Sequence, residues 1–147
     1  MIFIMRKINV ISRCANVYRA DSLSSEKLNP IYHSFALCIT RNQGITQDEI
    51  AKRLCINKSN VTRSLSALEE QGYISRETDN CDKRILHIYP TEKLLEIMPQ
   101  IKEIARCWNK YLTDDISEEE IEIFESVLQK ITEKAEKYME ERQVQSV

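Results

Sequence analysis

The sequence predicts a mainly α-helical protein with a small β-hairpin, and three observations indicate this fold class. The chain of 147 residues has only two glycines and three prolines, so residues that interrupt helices are scarce. Apolar residues recur every three or four positions along much of the chain, which is typical of amphipathic helices. Residues 73–89 contain two short apolar runs around a polar turn, which is typical of a hairpin. A single domain over residues 1–147 is expected at this length.

The first 44 residues predict two helices and a turn. Asn29-Pro30 begins the second helix, which continues to about Arg41, and residues 41–44 form the turn that follows. The first helix has an apolar stripe whose members lie four and three positions apart: Ile4, Ile8, Ile11, Ala15 and Tyr18.

Residues 46–71 predict a helix-turn-helix in which three residues, 55–57, form the turn. Thr46 is expected to cap the first helix, because Glu49 follows three positions later and completes a capping box. Asn57 is a favourable cap for the second helix, and Gly72 ends that helix.

The second of these helices, residues 58–71, has two chemically different faces. Its apolar stripe, which should be buried, consists of Val61, Leu65 and Leu68. The opposite face carries residue types that contact the phosphates and base edges of DNA: Ser59, Thr62, Arg63 and Ser66. Residues 52–64 contain no acid and four cations, namely Lys52, Arg53, Lys58 and Arg63. Double-stranded DNA is therefore the partner that this pattern favours.

The hairpin, which we call the wing, covers residues 73–89. Tyr73-Ile74 and residues 85–89 predict its two strands, and residues 79–82 predict its turn. Lys83 and Arg84 add two further cations beside the turn. The helix-turn-helix and the hairpin together predict a winged helix-turn-helix.

Two longer helices are predicted after the wing. Pro99 lies inside the first and predicts a kink or a break there. Ser117 begins the second as a cap, with Glu120 completing a capping box. The first has an apolar stripe formed by Leu94, Met98, Ile101, Ala105, Trp108 and Leu112. The stripe of the last helix is formed by Ile121, Phe124, Leu128, Ile131, Ala135 and Tyr138.

The two ends of the chain, residues 1–29 and 92–147, are expected to form dimerisation helices around a DNA-binding lobe at residues 30–91. Long helices at both ends have few surfaces of their own chain to cover, so we expect a two-fold homodimer. The alternative is that the stripes pack only within one chain. Palindromic half-sites about one helical turn apart, ~34 Å, favour the symmetric dimer.

The net charge of −2 does not exclude nucleic acid, because the charge is unevenly distributed. Residues 113–147 contain eleven acids and four cations, a net charge of −7, whereas residues 41–90 carry +1. The acids are concentrated in the last helix, far in sequence from the predicted DNA-binding face. The local potential at that face therefore matters more than the whole-chain charge.

Membrane and secreted classes are not expected. No apolar run reaches the ~18 residues that a membrane-spanning helix needs. Residues 1–5 are apolar but too short for a signal sequence, and the cations follow them. The five cysteines, at positions 14, 38, 55, 81 and 107, are odd in number and form no CxxC pair. We expect reduced thiols and a cytoplasmic location.

An enzyme, a cofactor and a metal site are not expected either. The chain has no Gly-rich phosphate loop, nucleophile elbow, HExxH motif or Ser-His-Asp set. His33 and His87 are isolated in the sequence, with no nearby acid or second histidine, so they do not indicate a metal site.

Four segments resemble the MarR family of bacterial transcriptional regulators: residues 44–51, Val61-Thr62-Arg63, residues 68–76 and Asp82-Lys83-Arg84. The resemblance implies a homodimer in which helix 58–71 enters the major groove and the wing reaches the adjacent minor groove. It also implies that Arg84 inserts into the minor groove. Asp82 would hold Arg84 in place, because positions i and i+2 of a strand share a face.

The resulting prediction is a sequence-specific transcriptional regulator that binds a pseudo-palindromic operator as a homodimer, with repression the commoner outcome in the family. The predicted DNA-binding residues are Thr46, Gln47, Lys52, Lys58, Ser59, Asn60, Thr62, Arg63, Ser66, Asp82, Lys83 and Arg84.

The resemblance also implies control by a small aromatic ligand or by oxidation of a cysteine near the N-terminus. Cys14 and Tyr18 lie one helical turn apart, as in peroxide-sensing members, so a thiol-based peroxide sensor is one alternative. A buried structural cysteine is the other interpretation.

Trp108 and Tyr111 are candidates for an aromatic pocket, or for core or dimer packing. A protein-interaction winged helix without DNA binding is a further alternative, which cations on both the helix and the wing disfavour.

Overall fold

The computed structural model describes residues 3–22, 29 and 32–144. Within these residues it contains six helices and a small antiparallel sheet, so the predicted fold class is confirmed. In chain order the elements are α1 Ile4–Ser22, α2 His33–Arg41, β1 Ile45–Thr46, α3 Gln47–Leu54, α4 Lys58–Glu70, β2 Ile74–Thr78, β3 Leu86–Pro90, α5 Glu92–Thr113 and α6 Glu118–Val144.

Some expectations concern residues that the structure does not describe. Parts of the predicted dimerisation regions, at residues 1–2, 23–28 and 145–147, lie outside the described residues. The predicted start of the second helix at Asn29-Pro30 falls partly on residues 30–31, which also lie outside them. The described helix α2 begins at His33.

The chain divides into two compact units, Met1–Trp108 and Asn109–Val147. The first contains the helix-turn-helix, the sheet and α1, and the second contains α6. Among the described residues, no helix combines the length and the apolar character that crossing a membrane requires.

The core of the first unit is formed by the apolar faces of α2, α3, α4 and the sheet, together with the start of α5. Complete burial of a Leu or Ile side chain stabilises a fold by about 1.5–3 kcal/mol. The largest buried side chains are Phe35, Ile39, Ile50, Leu65, Leu68, Tyr73, Ile88, Leu94 and Ile101. The helix-turn-helix is therefore fixed from several directions by one continuous core.

The sheet has the order β1-β3-β2, and both of its strand pairs are antiparallel. Strand β1 was not predicted, because two residues are too few to show an alternating pattern; Ile45 of β1 lies opposite Ile88 of β3. Strand β2 extends to Thr78, beyond the two residues predicted for it. Its outer part is largely exposed and polar, so it lacks the apolar run by which a strand is recognised.

Helix α5 passes through Pro99 as one continuous helix, so of the two predicted alternatives the break is wrong and the kink stays a prediction. A proline removes one backbone hydrogen bond and crowds the preceding turn. Here Met98, which precedes Pro99, and Ile101, two positions after it, are both buried in the core. Their packing offsets the lost hydrogen bond and keeps the helix together.

Helix α6 begins as its sequence predicts. The backbone N–H of Glu120 donates to Ser117 Oγ at 3.3 Å, and the Ser117 N–H donates to Glu120 Oε2 at 3.2 Å. These hydrogen bonds lower the pKa of Glu120. Much of the predicted apolar stripe is exposed in the single chain: Phe124 is 56% exposed and Tyr138 is 61% exposed.

Candidate nucleic-acid interface

The start of α3 is fixed by the predicted capping box. Thr46 Oγ1 accepts a hydrogen bond from the Glu49 N–H at 3.3 Å, and Glu49 Oε2 accepts one from the Thr46 N–H at 2.8 Å. These bonds satisfy backbone donors that a helix start leaves unpaired. The hydrogen bonds from Thr46 hold the pKa of Glu49 below its usual value. The first helix of the helix-turn-helix therefore has a defined beginning.

The turn between α3 and α4 contains a residue in the left-handed region of the backbone. Cys55 has a φ of +50°, and its N–H donates to the carbonyls of Ala51 and Lys52. Asn57 then caps α4, since its Oδ1 accepts from the Asn60 N–H at 2.8 Å, as predicted. The left-handed residue and the cap together fix the direction in which α4 leaves the turn.

Helix α4 buries its predicted apolar stripe and exposes its predicted polar face. Val61, Leu65 and Leu68 are each 0% exposed. The exposed residues of this helix include six of the predicted DNA contacts, namely Lys58, Ser59, Asn60, Thr62, Arg63 and Ser66. Because the buried stripe sets the rotation of the helix about its axis, the polar residues face solvent.

Two side-chain contacts join α3 to the outer surface of α4. Gln47 Nε2 donates to Thr62 Oγ1 at 2.6 Å, and Thr62 Oγ1 donates in turn to the Lys58 carbonyl at 2.8 Å. Lys58 Nζ lies 3.0 Å from Asp48 Oδ1, with both side chains exposed. Four residues from the two helices thus form one connected polar network on the exposed surface. The sequence did not indicate that Asp48 takes part.

Helix α4 is also tied to the wing, by Arg76 of β2. Arg76 Nη2 donates to Ser66 Oγ at 3.1 Å, and Arg76 Nε lies 3.2 Å from Glu69 Oε2. Both partners belong to α4. No local pattern in the sequence indicates a role for Arg76, because its contacts depend on how the strand packs on the helix.

The wing turn is organised by two aspartates. Asp79 Oδ1 accepts from the N–H groups of Cys81 and Asp82, at 2.7 and 2.9 Å. Asp82 Oδ1 accepts from the N–H of Arg84 at 2.9 Å. The expectation that Asp82 and Arg84 share a strand face is wrong, because both precede β3, which begins at Leu86. Asp82 instead positions Arg84 by accepting a hydrogen bond from the backbone amide of Arg84.

His87 joins the wing to the residue that precedes β1. Its Nε2 lies 2.9 Å from Asp79 Oδ2, and its Nδ1 lies 2.8 Å from the Gly44 carbonyl oxygen. The expectation that His87 has no nearby acid is therefore wrong. The register places Glu77 opposite His87, so Asp79 lies diagonally from it, and a correct hairpin register would have revealed the pair. Within the described residues, no group of three or more His, Cys, Asp or Glu side chains could hold a metal ion.

Gly44, the backbone partner of His87, occupies a position that requires glycine. Its φ is +80°, and a Cβ added there would lie 3.1 Å from Tyr89 Oη. A side chain at this position would therefore be both strained and crowded.

Some cationic side chains of this surface form ion pairs with carboxylates within the chain, and others do not. Lys58 is compensated by Asp48. Among the residues that the structure describes, Arg63, Lys83 and Arg84 are exposed and have no carboxylate within ion-pair distance. Lys52 is exposed as well. Unpaired cations keep their attraction for a polyanion, because no internal partner must first be displaced.

A cavity of about 700 Å³ lies beside this surface, within the first unit. Its walls come from four helices and include Arg19 of α1, His33 and Phe35 of α2, Asn60 and Arg63 of α4, and Ala105 of α5. Asn60 and Arg63 thus belong both to the cavity wall and to the predicted DNA-binding face.

His33 is the buried polar residue of this cavity wall, at 5% exposure. Burial, and secondarily the charge of Arg19, lowers the pKa of His33 to about 4. Its ring is therefore neutral at neutral pH. Among the described residues, none provides a hydrogen-bond partner for the buried Nε2 atom.

The residues proposed for redox or aromatic roles lie in different environments in the structure. Cys14 is exposed on α1. Tyr18 stacks on Trp108, with ring centroids 5.0 Å apart and an interplanar angle of 29°. Tyr111 is exposed. The ring of Tyr18 is thus engaged with an aromatic partner, and a peroxide-sensing role of Cys14 stays a prediction.

The sequence comparison assigns the central part of the chain to a known family. Residues 37–86, from α2 to the start of β3, match the MarR family. A relative from Bacillus subtilis, the uncharacterised HTH-type transcriptional regulator YybA, is 23% identical over 134 residues, covering 91% of this chain and 89% of the relative.

Two solved structures share nearly the whole fold. The crystal structure of the transcriptional regulator SlyA matches with a TM-score of 0.90 and 27% identity, covering 95% of this chain and 98% of that chain. A MarR family transcriptional regulator from Listeria monocytogenes, crystallised with a 26mer DNA, matches with a TM-score of 0.88 and 25% identity, covering 95% and 93%. The similarity therefore extends through the terminal helices as well as the helix-turn-helix.

Proposed function

Since this chain is a member of the MarR family of transcriptional regulators, we propose that it binds double-stranded DNA sequence-specifically and so regulates transcription. The observation that carries the proposal is the orientation of α4. Its apolar stripe is buried, which leaves an exposed face of hydroxyl, amide and guanidinium groups. Such groups make most of the contacts to bases and phosphates in protein–DNA complexes.

The wing extends the proposed DNA contact to a second groove. Helix α4 would lie in the major groove, which is ~12 Å wide and accommodates an α-helix. Lys83 and Arg84 would reach the adjacent minor groove, where narrow regions attract arginine. The similar Listeria monocytogenes regulator, crystallised with DNA, supports a DNA-binding role for this architecture.

We place the protein on a pseudo-palindromic operator as a homodimer. Exposed apolar side chains remain on α1 and α6 in the single chain, and they need a partner that covers them. A two-fold dimer of these helices would present two copies of α4 to half-sites about 34 Å apart. In this arrangement residues 1–29 and 92–147 dimerise, and residues 30–91 bind DNA. The protein would act in the cytoplasm, where its DNA partner lies.

We also propose that the protein represses transcription and that a small aromatic acid releases it from DNA. The cavity provides the apolar ring of Phe35 and the cations Arg19 and Arg63. An anion held by Arg63 would draw that side chain away from DNA, so effector and DNA would compete through linkage. The neutral His33 offers the effector one more hydrogen-bonding nitrogen.

The test of DNA binding is selection from a random-sequence duplex library, followed by affinity measurement on the enriched duplex. Wild-type protein should enrich a sequence with two inverted half-sites. Lys102→Ala is the control for alanine substitutions of cations on the proposed surface, because Lys102 is an exposed cation on α5 outside that surface. Enrichment of no sequence would contradict the proposal and favour the protein-interaction alternative.

The effector is tested with benzoate and with benzyl alcohol, a neutral molecule of similar size. Benzoate should weaken binding to the selected duplex, and benzyl alcohol should have less effect at equal concentration. Arg19→Ala should reduce the response to benzoate while leaving DNA affinity in its absence nearly unchanged, because Arg19 is on α1 and outside the predicted DNA-binding set. Equal responses to the two compounds would contradict an anion site.

A further inference from the structure

The hydroxyl of Thr62 is already engaged within the protein. Its single proton is donated to the Lys58 carbonyl oxygen, at an Oγ1–O distance of 2.8 Å. The same oxygen accepts a hydrogen bond from Gln47 Nε2 at 2.6 Å. Thr62 is nevertheless exposed, on the face of α4 that we propose lies in the major groove.

This engagement limits what Thr62 can offer to a base pair. Guanine N7 and O6, adenine N7 and thymine O4 are acceptors in the major groove, and each needs a donor. Thr62 Oγ1 has no proton left to donate to them. One of its two acceptor lone pairs is occupied by Gln47, so an amino group of adenine or cytosine would have to share this oxygen with the Gln47 amide, which disfavours that contact. The methyl group of the side chain takes part in none of these hydrogen bonds and remains available for contact with a base.

Major-groove contacts include one that suits a methyl group, because thymine alone carries a C5-methyl at its groove edge. We propose that Thr62 selects a thymine in each half-site by apolar contact between its methyl group and the thymine C5-methyl. Gln47 acts as a positioning residue, because its hydrogen bond holds the Thr62 hydroxyl away from the bases. The inference rests on the proposed DNA-binding function and adds a specificity determinant to it.

The neighbouring hydroxyl residue on the same face does not duplicate this role. Ser66 Oγ accepts a hydrogen bond from Arg76 and carries no methyl group. Thr62 is thus distinguished from Ser66 by its chemistry as well as by its position. A contact with the thymine methyl group can be tested simply, because deoxyuridine differs from thymidine by that group alone.

The experiment replaces single thymines by deoxyuridine in one half-site of the duplex selected by wild-type protein. Wild-type affinity should fall about fourfold at one position, the loss expected for one buried methyl group, and change little elsewhere. Thr62→Ser, which keeps the hydroxyl and removes the methyl, should bind the thymine and deoxyuridine duplexes equally. Thr62→Val, which keeps a methyl and removes the hydroxyl, should still prefer thymine. Circular dichroism and thermal unfolding verify that both variants fold.

The possible negative results distinguish failure of the methyl contact from failure of the proposed DNA-binding function. If wild-type protein tolerates deoxyuridine at every position, the methyl contact is overturned while DNA binding stands. If Thr62→Val loses the preference for thymine and Thr62→Ser retains it, the hydroxyl determines specificity and the proposal is wrong. If wild-type protein selects no sequence, the proposed function itself fails, and the contact fails with it. Gln47→Ala should weaken the thymine preference without abolishing DNA binding, which a purely structural role in α3 would not produce.

Discussion

The Nε2 atom of His87 lies 2.9 Å from Oδ2 of Asp79, so the ring connects β3 to the wing turn. The other ring nitrogen lies 2.8 Å from the Gly44 carbonyl oxygen. Both partners are hydrogen-bond acceptors, and only the protonated imidazolium has an N–H for each of them. The hydrogen bond with Asp79, followed by that with Gly44, raises the pKa of His87. The same pairing lowers the pKa of Asp79 to about 2.

We predict that the pKa of His33 lies below the ordinary value of a histidine and that the pKa of His87 lies above it. An NMR titration should show one ring, His33, with a pKa near 4 and the other, His87, with a pKa above 6.5. Asp79→Asn should lower the pKa of His87 toward the ordinary value of a histidine and leave the pKa of His33 unchanged. Two similar titrations near pH 6.5 would contradict both environments.

The pH dependence of folding stability follows from the same shifts. The stabilisation from His87 is fully present below its unfolded pKa of 6.5 and is lost as pH rises through its raised folded pKa. The contribution of Asp79 is present above 3.8 and is lost as pH falls through about 2. Thermal unfolding of wild type and His87→Gln between pH 6 and 9 should therefore show a larger loss for wild type. Parallel curves would exclude the contribution of His87.

Arg84 and Arg63 should both contribute to DNA affinity, but only Arg63 should also contribute to binding of the effector. Replacing either with alanine should weaken binding by roughly 1–3 kcal/mol without unfolding the protein, because both side chains are exposed. Only Arg63 lines the cavity, so Arg63→Ala alone should also reduce benzoate binding. Isothermal titration with duplex and with benzoate measures both effects. Lys52→Ala should have a smaller effect and a shallower salt dependence.

The turn between α3 and α4 should respond to substitutions of Cys55 according to their tolerance of positive φ. Asparagine adopts the left-handed region more readily than most residues, whereas β-branched residues resist it. We predict that Cys55→Asn preserves or slightly raises the free energy of unfolding. Cys55→Val should lower it by about 1–2 kcal/mol. Urea unfolding of the two variants provides the measurement, and equal stabilities would contradict the strained turn.

The homodimer should depend on the exposed apolar side chains of α6. Phe124→Glu places a charge at an exposed apolar position, so it should shift sedimentation from dimer to monomer while leaving the fold intact. Glu133→Lys is a control with a charge change at an exposed polar position of the same helix. A Phe124→Glu protein that remains dimeric would remove α6 from the interface at this position.

Peroxide sensing would require Cys14. Treatment with cumene hydroperoxide should weaken DNA binding of wild-type protein and spare Cys14→Ser if this thiol is the sensor. Cys81→Ser is the matched control, because Cys81 is another exposed thiol. Equal responses of wild type and Cys14→Ser would remove Cys14 from that role.

The features that were predicted correctly from the sequence depend on neighbouring residues. The Thr46 and Asn57 caps and the buried stripe of α4 are set within a few positions of the chain, so capping patterns and helical periodicity were sufficient to identify them. The start of α6 at Ser117 was identified for the same reason.

The features that were missed depend on contacts between segments distant in sequence. Strand β1 exists because Ile45 meets Ile88, and Arg76 finds Ser66 only after β2 packs on α4. The hydrogen bond between His87 and the Gly44 carbonyl links positions 43 residues apart, which no local pattern encodes. Pro99 illustrates the opposite error, because a local rule allowed a break of the helix, and burial of nearby side chains prevented that break.

The attachment of Arg76 to Ser66 and Glu69 has a consequence for the geometry of the duplex. Helix and hairpin are braced against each other, so the spacing between the groups they offer is largely preset. A duplex that engages both must supply a matching separation of its grooves, and any misfit is accommodated by bending or narrowing of the double helix. Sequences that deform at low energetic cost would thereby gain affinity even at base pairs that no side chain reaches.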